Sequence, residues 1–347
     1  MGYRKKGSAW QEFRQMAAIL SVRKVLNFIK LISSYHFSRL AGKSYHTGMP
    51  WCLSVEPTTS CNLRCPECPS GLRSFTRPTG MLDPALFSRL IDEVKPWLAQ
   101  LTFYFQGEPF LNPHFNRLVQ LAVKNGIYTT TSTNAHYLKY ETALETVQSG
   151  LHRILISIDG TSQVSYEQYR IGGNLEKVLE GTRNLVRAKK EMRSATPHIV
   201  FQFLVVKPNE HQIPEIIKLA EEMEVDELKL KTAQINDFEN GSPLIPENAK
   251  YSRYQKGADG KFRIKNPLLN QCWKMWQSAV VTWDGKVIPC CFDKDARHTL
   301  GEFGNQGFRK IWESTSYKQF RNSILKSRSE IDICTNCTEG TRVWAET

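Results

Sequence analysis

Thr58-Thr59-Ser60-Cys61-Asn62-Leu63-Arg64-Cys65-Pro66-Glu67-Cys68 sets three thiols at C-x3-C-x2-C spacing directly after a short, β-rich apolar run. Thiolates are soft ligands that suit iron-sulfur clusters or zinc, and spacings this short let one loop wrap one metal centre. The ligand count separates the two options. A structural zinc site closes with four ligands, and no further Cys or His occurs before His114. A four-iron cluster held by three cysteines keeps one iron open, and an open iron can bind a substrate.

Around this loop, residues 51–232 alternate β-rich runs with amphipathic helical patterns, the signature of repeated βα units on a parallel sheet. Strands are expected at 52–57, 101–105, 128–132, 154–158, 199–206 and 227–231. Helices are expected at 84–94, 113–124, 141–148, 175–190 and 213–223. Pro84 and Pro113 suit a first helical turn, with Asp83 and Asn112 before them as N-caps. Six units are too few for a closed eight-stranded barrel, so the fold class expected is α/β, a partial (βα)6 barrel whose chemistry collects at the C-terminal ends of the strands.

The polar stretch 236–267 reads as a linker. Beyond it, 279–283, Asp284-Gly285 and 286–288 read as a hairpin, because Asp-Gly adopts the positive φ angles of a tight turn. The expected division is an N-terminal helical extension (1–50), the barrel (51–235), the linker (236–267) and a small C-terminal iron-sulfur domain (268–347).

The barrel and loop together resemble the radical S-adenosylmethionine (SAM) superfamily, in which the open iron chelates the amino and carboxylate groups of SAM. Gln106-Gly107-Glu108-Pro109 after the second strand is similar to that family's Gly-Gly-Glu motif, with Gln106 in place of the first glycine. The resemblance implies that Gln106, Gly107 and Glu108 meet SAM, the acid receiving its ammonium. Ser132-Thr133-Asn134 and Ser157-Ile158-Asp159-Gly160 fall where the family contacts ribose and carboxylate, which makes Ser132, Asn134, Ser157 and Asp159 candidates; Asn209 is a further one. Each piece alone has a plainer reading: a strand-to-helix turn, or helix caps for Ser157 and Asp159.

Cys272 and Cys290, then Cys334 and Cys337, supply the complete ligand set of a second four-iron cluster or a four-thiolate zinc site. The arrangement resembles the SPASM and shorter twitch extensions of radical SAM enzymes, with Gly285-Lys286-Val287-Ile288-Pro289-Cys290 matching the opening motif. There are enough cysteines here for one auxiliary cluster. The resemblance thus implies two [4Fe-4S] clusters, with Cys61, Cys65 and Cys68 on the first, and SAM as cosubstrate. Cys291 and Cys52 read as small buried residues, Trp273, Trp276 and Trp312 as core, and Asp293 and Asp295 as solvated turn acids.

The chain's +12 net charge is concentrated at its start. Nine Lys and Arg against Glu12 give residues 1–50 a charge of +8, leaving +4 for the rest. A protein tracking a phosphate backbone carries a basic stripe over its body, so nucleic acid is not the expected partner. No run of 18 apolar residues spans a membrane, and the stretch 17–32 lacks a signal-peptide cleavage site, so the expected location is the cytoplasm. Trp10, Phe13, Ala17, Leu20, Val22, Val25, Leu26 and Ile29 recur at helical spacing beside Arg14, Arg23, Lys24 and Lys30. Such a helix lies on an anionic membrane, caps a barrel or meets a partner protein.

The function implied by the resemblance is reductive cleavage of SAM to a 5′-deoxyadenosyl radical and hydrogen abstraction from a peptide, carbohydrate or lipid-linked substrate, with an external one-electron donor such as flavodoxin or ferredoxin. Peptide maturation and oxidation or epimerisation of a sugar or aminocyclitol are both open. The alternative from another class is a zinc-stabilised nucleic-acid or protein binding module without SAM chemistry.

Overall fold

The structure, a computed structural model, describes residues 3–340; positions 341–347 of the expected C-terminal domain lie outside the described residues. Six strands, β1 (Cys52–Val55), β2 (Gln100–Phe103), β3 (Tyr128–Thr133), β4 (Arg153–Ser157), β5 (His198–Val205) and β6 (Glu227–Thr232), pair in parallel and in chain order. Helices cross over between them as the periodicity predicts. Pro84–Val94 is one, with Asp83 accepting from the Leu86 amide at 3.0 Å and Phe87, Leu90, Ile91 and Val94 buried along one face. The helix expected from 113 begins at Phe115 with His114 as its cap; Asn112 instead ties back to the Pro57 carbonyl at 2.8 Å. β5 is buried along nearly its whole length, as a strand covered on both faces must be.

The stretch 236–267 has structure of its own. It carries a small hairpin, β7 (Tyr254–Lys256) with β8 (Phe262–Ile264), pinned by Tyr254, whose ring stacks on Phe238 and whose hydroxyl donates to Asn336. Beyond it, the C-terminal segment continues the barrel sheet. β9 (Ser278–Val281) runs parallel to β1, Cys52 opposite Ser278 and Val55 opposite Val281. The chain turns at Gly285, φ 87°, into antiparallel β10 (Lys286–Ile288), followed by β11 (Gly301–Glu302). The sheet therefore runs β11-β10-β9-β1-β2-β3-β4-β5-β6, and one apolar core spans barrel and C-terminal segment, with Trp273, Trp276 and Trp312 inside it as expected.

The N-terminal extension forms two helices, α1 (Ser8–Ala18) and α2 (Val22–Ala41), packed under the strand starts. Leu228 donates to the Tyr3 carbonyl and Lys5 to that of Asp226, so the N-terminal residues cover the start of edge strand β6. Glu12 of α1 pairs with Arg153, which also bonds Glu227 at 2.6 Å. In α2, Asn27 exchanges two 2.8 Å bonds with the Met49 backbone, the Lys24 ammonium bonds the Gly126 carbonyl at 2.6 Å, and Tyr35 packs edge-on against Trp273 and Trp276. The inner faces cap the barrel floor. The outer faces leave Trp10 63%, Val22 78% and Leu40 89% exposed. No helix among the described residues is long and apolar enough to cross a membrane.

Candidate active site

The loop after β1 is folded tightly on itself. A side chain on Gly71 would lie 2.5 Å from the Cys65 amide nitrogen. The Gln106-Gly107-Glu108 turn packs against the same loop: Gly107 has φ 75°, a Cβ there would meet the Thr58 carbonyl oxygen at 2.2 Å, and the Glu108 amide donates to Ser60 at 2.8 Å. Only glycine tolerates both the backbone angle and the approach. Two loops from adjacent strands thereby form one wall of a cavity of about 340 Å³ at the C-terminal ends of the strands, lined by all three loop cysteines.

Glu108 is 2% exposed and accepts from the Thr133 hydroxyl at 2.7 Å and the Asn134 amide at 2.8 Å. Burial pushes its carboxyl up to about 7, against those hydrogen bonds, so a cation placed on it is strongly favoured. Asn134 also reaches Asn62 at 2.8 Å, joining the third strand's end to the cysteine loop. Gln106, Gly107, Glu108, Ser132, Asn134 and Ser157 all line the cavity, as the strand-end rule predicts.

Asp159 does not. It is fully buried, accepts from the Leu204 amide at 2.7 Å and pairs with Arg170 at 2.5 Å. Its role is to hold Arg170, whose guanidinium lies 3.7 Å from the Cys65 sulfur and lines the cavity instead. Asn209 is likewise buried, bonded to the Asp159 and Leu204 carbonyls. Cys291, expected to be buried, is exposed and lines the cavity, because Cys290 turns inward and its neighbour must point the other way. Asp293 is not solvated; it is 1% exposed and accepts from the Arg297 and His298 amides at 2.8 and 2.9 Å. Asp295 accepts from the Thr76 amide at 2.9 Å. Tyr104, Gln202, Lys231, Thr232, Gln234, Arg253, Lys294 and Glu339 are among the other lining residues and escaped the sequence reading. Lys231 and Thr232 end the sixth strand, and the strand-end rule would have found them.

In the C-terminal segment Cys272, Cys334 and Cys337 are buried, with Cys290 half-buried beside them. Arg328, with no solvent exposure, donates to the Cys337 sulfur at 3.1 Å and to the Gln271 carbonyl at 3.0 Å. Burial, reinforced by Cys291, Cys272 and Cys337, pushes the Cys290 thiol up, and burial lifts Cys337 to about 11.

The donor sets discriminate between metals. Tetrahedral zinc with sulfur at about 2.3 Å requires thiolates roughly 3.8 Å apart. Among the described residues only Glu12, His198 and Glu227 bring three such ligand atoms within 4.8 Å of one another, so neither cysteine set is closed that far. All-thiol donor sets of this kind would suit an iron-sulfur cluster, whose irons take soft sulfur ligands. The Glu12 group is itself filled by the Arg153 guanidinium, bonded to both carboxylates.

Residues 55–220 match the radical SAM superfamily profile and residues 272–338 the SPASM iron-sulfur cluster-binding domain. The chain belongs to the radical SAM superfamily. Within it, the C-terminal match makes this a SPASM-bearing enzyme, one that binds SAM with a [4Fe-4S] cluster in the barrel and further iron-sulfur in the C-terminal segment. Among curated relatives, the tungsten-containing aldehyde ferredoxin oxidoreductase cofactor-modifying protein of Pyrococcus furiosus is 26% identical, covering 82% of this chain and 86% of that one. The AdoMet-dependent heme synthase of Methanosarcina barkeri is 22% identical over 84% and 92%. Among solved structures, Streptococcus suis SuiB bound to S-adenosylmethionine has a TM-score of 0.60 at 13% identity, covering 83% of this chain and 72% of that one. BtrN in complex with AdoMet and 2-DOIA has a TM-score of 0.51 at 18% identity, covering 84% and 94%. These likenesses support the partial-barrel fold, and the zinc-stabilised binding module is set aside.

Proposed function

We propose that this enzyme uses SAM to abstract a hydrogen atom from a small, cofactor-like substrate, with one auxiliary cluster in the C-terminal segment. When bound to Cys61, Cys65 and Cys68, a reduced four-iron cluster supplies the electron that splits SAM into methionine and a 5′-deoxyadenosyl radical. The chain's own residues do the positioning. Glu108 receives the SAM ammonium, Gln106, Gly107, Ser132, Asn134 and Ser157 hold its remaining polar groups, and Arg170 braces the Cys65 sulfur. Cys272, Cys290, Cys334 and Cys337 hold the auxiliary cluster, and an external donor such as flavodoxin or ferredoxin supplies the electron.

The observation that carries this reading is the buried Glu108 locked against the three-cysteine loop in a single cavity. Cofactor-like chemistry is favoured over peptide or carbohydrate because two curated relatives, each matching over four fifths of this chain, are named for cofactor modification and heme synthesis. The experiment is anaerobic reconstitution followed by reduction with SAM. The expected results are about eight irons per chain, release of 5′-deoxyadenosine, and loss of that release in Cys65→Ala. SAM cleavage by Cys65→Ala at the wild-type rate overturns the assignment.

A second reading concerns place. The exposed apolar faces of α1 and α2, flanked by the basic residues of an N-terminal region carrying +8, favour peripheral contact with an anionic membrane. That contact would be made by the barrel floor, with the cavity mouth facing away from the lipid. Flotation with phosphatidylglycerol vesicles should be lost in Trp10→Gln/Phe13→Gln/Leu26→Gln; unchanged flotation refutes it.

A further inference from the structure

The cavity carries more positive charge than its own carboxylates balance. Lys231 at the end of β6, Arg253 from the stretch before β7 and Lys294 from the loop after β10 all line it. Among the described residues none of the three makes a direct ion pair or a side-chain hydrogen bond to a carboxylate, although Glu339 lies near enough to Lys231 and Arg253 to feel both. Arg253 spends its Nε on the Thr232 carbonyl and hydroxyl, at 3.2 and 2.9 Å, while its Nη1 is closed off from solvent and has no partner. The Lys294 ammonium, half-buried, makes no hydrogen bond among the described residues, and Glu67, Cys68, Cys291 and Arg253 face it. The two nearby carboxylates are engaged elsewhere: Glu67 accepts from the Asn236 amide at 2.8 Å, and Glu339 pairs with Lys274.

A buried guanidinium nitrogen without an acceptor is costly, and cations gathered on one cavity repel. SAM does not relieve this: it adds a sulfonium, and its own carboxylate would be taken up at the cluster held by the cysteine loop, beside Glu108 and Asn134 in the turns after β2 and β3. We infer that Arg253, Lys294 and Lys231 form the substrate-anchoring subsite, and that the substrate carries a carboxylate or phosphate group. Arginine presents a planar fork to either oxyanion and the lysines add point charge. The subsite lies where barrel, hairpin stretch and C-terminal segment meet, so it forms only in the complete fold. This deepens the proposed function, resting on the same cavity being the radical SAM site.

The test is equilibrium dialysis of reconstituted holoenzyme with SAM, at fixed 0.1 M-range ionic strength (about one Debye length of 10 Å), against radiolabelled inorganic phosphate and, separately, radiolabelled succinate. Saturable binding of one anion per chain is expected. Arg253→Gln/Lys294→Gln should weaken it at least about tenfold (about 1.4 kcal/mol), with Arg253→Lys recovering part of the loss. Lys218→Gln, at an exposed helix position that is not part of the cavity lining, should leave it unchanged. Tighter phosphate than succinate binding identifies a phosphoryl group, and the reverse a carboxylate. No saturable binding of either anion, or equal binding by the Arg253→Gln/Lys294→Gln protein, overturns the subsite. Release of 5′-deoxyadenosine by the wild-type preparation without added anion separately checks the radical SAM reading, so the two failures are distinguishable. Iron content and far-UV circular dichroism confirm that each variant is folded and loaded.

Discussion

Arg77→Met should produce a stability loss that grows with pH. Glu56, the residue following β1, has no exposure and is held by Arg77 through two hydrogen bonds of 2.9 and 2.5 Å; the Trp283 amide gives it a third at 3.3 Å. Burial, with a smaller push from Asp284, lifts the Glu56 carboxyl, and Arg77 is the main opposing influence, helped by the Trp283 amide. Without the guanidinium the carboxylate is left buried and uncompensated, which commonly costs about 3–5 kcal/mol. The protein has a cheaper route, which is to protonate Glu56. From an ordinary carboxyl at 4.5, protonation at pH 7 costs about 3.4 kcal/mol, at about 1.36 kcal/mol per unit, and at pH 5 only about 0.7. The sign follows from linkage: a group whose folded pKa is raised adds stability below its unfolded pKa and loses it as pH rises. Relative to wild type, whose Glu56 is itself somewhat raised, Arg77→Met should therefore lose more stability at pH 7 than at pH 5, by at most about 2.7 kcal/mol (two units at about 1.36). Glu56→Gln/Arg77→Met should remove that slope. Urea unfolding of the anaerobic holoprotein between pH 5 and 7.5, followed by circular dichroism as a double-mutant cycle, measures it. A loss under about 1 kcal/mol at pH 7, or one independent of pH, refutes the reasoning.

Gly107→Ala should cost about 2–4 kcal/mol, combining a left-handed alanine with the overlap on Thr58, and should lower both melting temperature and iron content; Gly126→Ala, equally left-handed at φ 67° but with open space around it, should cost only about 1–2. Burial raises the Glu227 carboxyl, but His198, Lys229, Arg153 and Arg4 outweigh it and hold the group down at about 2. Its contribution to stability is thus present above 4.5 and lost as pH falls towards 2, and Glu227→Gln should flatten acid unfolding across that window. Arg328→Gln removes a buried cation from the Cys337 sulfur. If that charged hydrogen bond is worth about 1.5–3 kcal/mol, the auxiliary cluster's midpoint potential in a redox titration followed by electron paramagnetic resonance should fall by about 65–130 mV, at 59 mV per tenfold; an unchanged potential refutes the role.

What could be read from the sequence was what depends on near neighbours. The helix at Pro84–Val94 was bounded correctly because proline, cap and apolar spacing all act within one turn of each other. The cysteine loop and the Asp284-Gly285 turn are local in the same way. The pairing of β9 with β1 joins segments far apart in the chain, and a four-residue apolar strand carries no mark of its partner. Lys231, Arg253 and Lys294 come from three separate segments, and each alone is an ordinary polar residue. Asp159 sits at a strand end as the pattern asks, but its side chain turns back to Arg170, a choice made by packing that no spacing encodes.

The place of β9 beside β1 also bears on how the enzyme is made. On the ribosome, β1 and its cysteine loop emerge early, yet one edge of that strand stays unpaired until Val281 has left the exit tunnel. Until then the sheet beside that loop is incomplete, so the barrel reaches its final form only when the C-terminal segment docks on it. A barrel cut before β9 would keep an exposed edge on the strand that leads into its cysteine loop.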